Sequence, residues 1–162
     1  MKRELEEKLY EKYPKIFKQK DLSMRETAMC WGISCGDGWY DLLDVLCQEI
    51  QSVIDYPIVE IARCKKQLAE NENLTEDTID YLKEKIVELE KSIIDQVQAT
   101  QVKEKFGQLR FYIDGGDDRV EASISFAESM SLKVCEVCGN SGKPAGNYWV
   151  KILCSSCSSE ED

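Results

Sequence analysis

Leu109-Arg110-Phe111-Tyr112-Ile113, running into Asp114-Gly115-Gly116-Asp117, sets the frame for the whole chain. Leu109, Phe111 and Ile113 alternate with Arg110 and Tyr112, so one face of a strand is buried and the other is not. The Asp-Gly-Gly-Asp run that follows is a turn signal. Just upstream, Phe106-Gly107 reads as a second turn, and Val97 to Lys103 has β-compatible content. A β-hairpin therefore forms the sheet. Downstream, Val120, Ile124 and Ala127 recur at helical spacing, predicting a helix from Asp118 to about Ser131.

Upstream the pattern is helical. Residues 2 to 13 read as a helix ending near Pro14. Ser23 and Glu26 have capping-box spacing, which predicts a short helix from Met24 to Met29. Cys35-Gly36-Asp37-Gly38 is a turn, with Asp37 as N-cap of a helix that buries Leu42, Leu43, Leu46, Cys47, Ile50, Val53 and Ile54 and stops at Pro57. Ile61 and Leu68, then Ile79, Leu82, Ile86, Leu89 and Ile93, follow a heptad rhythm broken at Asn71-Glu72-Asn73. This predicts an antiparallel coiled-coil hairpin over 58–72 and 76–95, with dimerisation through the same heptads as the alternative.

The second decisive feature is Cys135-x-x-Cys138 followed, after 15 residues, by Cys154-x-x-Cys157. Each C-x-x-C turn brings two thiolates to one tetrahedral ion, and a hairpin between the turns joins the pairs. Gly139 suits the turn beyond the knuckle, Gly142, Pro144 and Gly146 supply the bend, and Tyr148 to Leu153 the returning strand. Four cysteine ligands leave no position open for water, so the expected zinc is structural. Cys30, Cys35, Cys47 and Cys64 have irregular separations and read as small buried hydrophobes, with a second metal site as the alternative.

Together these features predict an α+β fold: a helical layer on a small antiparallel sheet, a helical-hairpin (coiled-coil) insertion and a C-terminal zinc ribbon. The expected units are a core domain over 1–57 and 97–132, the insertion over 58–96, the ribbon over 133–158 and an acidic tail over 159–162. The 162 residues suit one ordinary domain plus a small module. With 43% apolar residues a sizeable core is within reach.

The net charge of −10 disfavours duplex nucleic acid as a partner. Residues 1–20 hold seven Lys or Arg against four Glu, and the rest carries 14 bases and 27 acids. The basic N-terminal stretch, with Leu5, Leu9 and Tyr13 at helical spacing, reads as the solvated side of an amphipathic helix. No apolar run is long enough to cross a bilayer and no secretory signal is read at the N-terminus, so a cytosolic protein with reduced cysteines is expected. There is no histidine, which removes the commonest general acid–base and every imidazole-based triad. No acid pair or nucleophile motif replaces it.

Val102-Lys103-Glu104-Lys105-Phe106-Gly107-Gln108-Leu109-Arg110-Phe111-Tyr112, with Asp37-Gly38-Trp39 upstream and Ala127-Glu128-Ser129 leading to Cys135-x-x-Cys138-Gly139, resembles a family of small phage and prophage proteins. The similarity runs from about Cys30 to Cys157 and leaves out the heptad arm as a variable insertion. Many members end in a Cys-x-x-His-type pair, where Cys157 stands here. The resemblance implies a host-takeover or anti-defence accessory protein of the host cytosol that binds a nucleotide signal or a host defence protein. Lys103, Lys105, Arg110 and Tyr112 fall on the hairpin face opposite the core, beside the turn at Gly107 and with Trp39 expected nearby. Cations beside aromatic rings suit a phosphate plus a base, or an acidic protein surface. Pairing of the same cations with surface carboxylates is the competing reading.

Overall fold

The computed structural model describes residues 1–146 and 149–159. It is an α+β fold built on a three-stranded sheet. The hairpin predicted from the alternation is present as β2 (Gln98–Lys105) and β3 (Gln108–Asp114), paired antiparallel with Val102 opposite Phe111 and Lys103 opposite Arg110. The third strand, β1 (Ile33–Ser34), runs parallel to β2, so the sheet is mixed rather than antiparallel. Two residues are too short a run for alternation to reveal.

Helix α1 (Arg3–Lys12) ends just before Pro14 and buries Leu9. Ser23 and Glu26 do make capping-box contacts, the Ser23 hydroxyl donating to Glu26 at 2.7 Å, but these close a turn rather than start a helix. The next helical piece is a single 3-10 turn at Met29–Trp31. Asp37 does not cap the following helix. Its carboxylate accepts from the Lys2 backbone N–H at 2.7 Å and so serves the start of α1.

Helix α2 corrects the expected stop at Pro57. It runs unbroken over Tyr40–Glu70. Leu43, Leu46, Cys47, Ile50, Ile54, Pro57, Ile61 and Cys64 form one buried stripe at helical spacing, with the proline on it. Proline forfeits one backbone hydrogen bond, and burial of the continuous stripe on both sides outweighs that loss. Helix α3 (Glu76–Lys91) returns antiparallel, capped by the Thr75 hydroxyl accepting from the Thr78 N–H. It ends at Lys91, four residues before the expected end, leaving Ile93 exposed and outside the heptad seam.

The arm has its own core of Ile61, Cys64, Leu82 and Ile86, flanked by Leu68, Leu74 and Leu89. The main core gathers Leu9, Phe17, Trp39, Leu43, Ile50, Val102, Leu109, Phe111, Val120 and their neighbours between the helices and one face of the sheet. Helix α4 (Asp118–Ser131) matches its predicted bounds and is capped by Asp117. It seals the free edge of β3: Glu128 accepts from the Phe111 N–H at 3.1 Å and Ser131 from the Leu109 N–H at 2.9 Å. An uncovered edge of this kind would otherwise invite pairing with another chain.

Strands β4 (Lys143–Ala145) and β5 (Lys151–Leu153) and the short α5 (Ser155–Ser158) complete the C-terminal unit. The returning strand begins at Lys151 rather than Tyr148, and Tyr148 itself lies outside the described residues, as do residues 160–162 of the acidic tail. Among the described residues no helix is long and apolar enough to cross a membrane.

Candidate metal centre and hairpin face

Cys135 and Cys138 leave the end of α4 through a tight turn closed by the Gly139 N–H donating to the Cys135 carbonyl at 2.9 Å. Cys154 and Cys157 open α5, with the Cys157 N–H directed at the Cys154 sulfur at 3.5 Å. The β4–β5 hairpin folds one pair onto the other. All four sulfurs lie within 4.8 Å of one another, and those of Cys138 and Cys154 are 3.6 Å apart. An ion bound at ~2.3 Å by four thiolates needs sulfurs about 3.8 Å apart, so the set fits a tetrahedral ion. Every cysteine is a free thiol.

The surroundings favour thiolate. The Cys157 N–H draws the Cys154 thiol down to about 7. Burial of Cys135 opposes ionisation, but N–H groups of Cys138, Cys154 and Val137 outweigh it and bring that thiol down. Cys157, sharing protons with Cys138 and Cys154, moves up. The Asn140 amide donates to the Cys138 sulfur at 3.4 Å. These four cysteines can hold a metal ion.

The remaining cysteines are dispersed. Cys35 and Cys47 are in the main core, Cys64 in the arm, and Cys30 donates to the Thr27 carbonyl. Burial pushes the Cys35 thiol up to about 12 and the Cys47 thiol up further. Among the described residues only the C-terminal four cluster with metal-ligand spacing.

The knuckle is not a separate appendage. The Gly38 N–H donates to the Glu136 carbonyl at 2.8 Å, and the Gly36 N–H to the Glu136 carboxylate at 2.9 Å. A Cβ on Gly38 would lie 2.2 Å from the Cys135 carbonyl oxygen and 2.4 Å from the Gly139 nitrogen, so only glycine admits this contact. Trp39, expected beside the hairpin face, is instead fully buried, and its indole N–H donates to the Val134 carbonyl at 2.9 Å. Its ring is part of the core at the seam with the ribbon, out of a ligand's reach.

The other expected ligand residues do share one region. The register places Lys103 opposite Arg110 and Lys105 opposite Gln108, on the sheet face away from Leu109 and Phe111, with Tyr112 on the same side. The Lys103 ammonium lies 5.5 Å from the Tyr112 ring centroid, and that of Lys105 is 5.5 Å from the Phe106 ring. Among the described residues neither lysine is within ion-pair distance of a carboxylate. Arg110 differs: its guanidinium donates to Glu128 at 3.1 Å and to the Leu109 carbonyl at 3.2 Å. Gly107 is buried in the turn, its N–H donating to the Glu104 carboxylate at 2.6 Å.

Sequence reasoning missed Glu104, Phe106, Glu128, Glu136 and Trp149. The carboxylates look like ordinary surface acids in the sequence. Phe106 reads as part of a turn and Trp149 as part of the returning strand, and neither reading shows that their rings are 80% and 73% exposed. The chain matches no protein-family model, no curated protein and no solved structure.

Proposed function

We propose that this chain is a non-catalytic binding protein whose outward hairpin face captures an anionic partner and whose four cysteines hold a structural zinc ion. The observation that carries the reading is the pair Lys103 and Lys105, each over an aromatic ring and, among the described residues, without a carboxylate within ion-pair distance, on a chain of net charge −10. What sets these two apart is their placement: two cations two residues apart on one strand face, each over an aromatic ring, concentrate positive potential there. Arg110 braces the strand through Glu128 and orients the face rather than supplying its main charge. Zinc suits four thiolates with no open position, which gives the ion a folding role and no substrate.

The resemblance to small phage and prophage proteins supports a biological setting: an accessory protein that disarms a host defence in the cytosol by sequestering an anionic signal. A host defence protein presenting an acidic patch is the alternative partner for the same face. A nucleic-acid-associated ribbon is the third reading, and the acidic charge argues against its duplex form.

Isothermal titration with tripolyphosphate at low salt tests the face. Wild type is expected to bind, and Lys103→Ala/Lys105→Ala to lose at least tenfold in affinity while melting within about 2–4 °C of wild type, the shift of a ~1 kcal/mol change in a chain this long. Wild type that ignores the polyanion, or a double variant that binds it equally well, would remove the anion site. Heat release of co-purified ligand, read by mass spectrometry, then identifies the natural partner.

A further inference from the structure

The hairpin turn carries a feature that its fold does not require. Phe106 and Gly107 both have positive φ, 54° and 76°, as a two-residue mirror-image turn demands. Asn-Gly is the ordinary choice. A phenylalanine held in this region costs about 1–2 kcal/mol, and here its ring is 80% exposed, so no core burial offsets the strain. Backbone strain at an exposed site that packing does not reward points to a ligand.

A second observation stands beside it. Phe106, Lys105 and Glu104 form one wall of a cleft of about 270 Å³, and Trp149 and Val150 of the ribbon form the other. The volume falls just below the range of drug-sized pockets, which fits one ring system rather than a large ligand. Gly107 brings the two walls together, since a Cβ there would lie 3.1 Å from the Val150 side chain. Lys105 borders this cleft, and Lys103 lies on the same strand face about 7 Å further along.

We propose that the Phe106–Trp149 cleft takes a nucleobase and that the attached phosphates run back over Lys105 and Lys103, so that the anionic ligand is a nucleotide. This rests on the hairpin-face reading and adds the ring to it. The base can belong to a free nucleotide or to a single strand, since every base offers an aromatic face.

The test titrates the zinc-loaded full chain with tripolyphosphate, with each of the four ribonucleoside triphosphates and with single-stranded hexanucleotides. At least one triphosphate is expected to bind about tenfold or more tightly than tripolyphosphate. Phe106→Asn and Trp149→Ala should each abolish that preference, and Trp149→Ala should leave tripolyphosphate affinity unchanged. Trp149 lies outside the turn, so its variant keeps the test valid if a change at Phe106 disturbs the hairpin. Hexanucleotides binding far more tightly than any mononucleotide would assign the cleft to a strand, and equal or weaker binding to a free nucleotide. Either supports the base site. Tripolyphosphate binding as well as every nucleotide would overturn the base site and leave the anion face standing. No binding by any of these probes would overturn both.

Discussion

Phe106 and Gly38 are the two residues at which backbone conformation carries the most information. Phe106 holds a left-handed conformation without burying its ring, so Phe106→Asn should relieve strain and stabilise the chain by about 1 kcal/mol. In a chain of this length that raises the melting temperature by roughly 2–4 °C. Stability should rise while nucleotide preference falls, a split that differential scanning calorimetry and titration read together. Gly38 has the opposite character. Its missing Cβ leaves room for the backbone of the metal knuckle, and backbone atoms cannot rotate aside. Gly38→Ala should destabilise the chain by about 1–3 kcal/mol or more and speed zinc transfer to a chelator, followed by a chromophoric zinc indicator. The cysteine set was legible from spacing alone, because two C-x-x-C turns at this separation match a metal-ligand pattern. Trp39 was not. A tryptophan next to a glycine turn reads as rim or core, and the full burial of its ring, with the indole N–H donating to the Val134 carbonyl, places it in the core.

Among the elements, the hairpin and α4 were legible because alternation and helical spacing are sharp over seven and fourteen residues. Strand β1 was not, having only two residues and a parallel partner distant in sequence. Pro57 carries a local stop signal that the buried stripe on both sides of it overrides. The consequence is an arm that grows directly out of a core helix yet keeps a separate core. Its buried residues do not belong to the main cluster, whereas Ile94, just beyond α3, packs against that cluster. Replacing residues 59–91 with a short Gly/Ser linker should therefore leave a folded, zinc-loaded chain with unchanged tripolyphosphate affinity. Circular dichroism, metal analysis and titration check this, and insoluble protein would place the arm among the elements the core needs. Sedimentation of the same variant decides whether the arm also pairs chains: a fall in mass beyond the deleted segment would assign it that role.

At the scale of the molecule, segments far apart in the chain lock one another in place. The Gly36–Trp39 turn receives the knuckle, α4 seals β3, and the ribbon meets the hairpin at Gly107. The proposed cleft has one wall on the hairpin and one on the ribbon, so a metal held by the four cysteines would be coupled to a ligand in the cleft. Stripping zinc should release the Trp149–Val150 wall and lower nucleotide affinity toward that of tripolyphosphate, with recovery on adding zinc back. Beneath all of this lies the claim that the four cysteines hold a metal on which the ribbon's docking depends. Elemental analysis of the purified chain, paired with a thermal melt before and after chelation, tests it most directly. About one zinc per chain is expected, none in Cys138→Ser, and a metal-free form whose C-terminal unit no longer unfolds cooperatively with the core. A chain that carries no metal as purified and still melts in a single transition with its ribbon docked would contradict it.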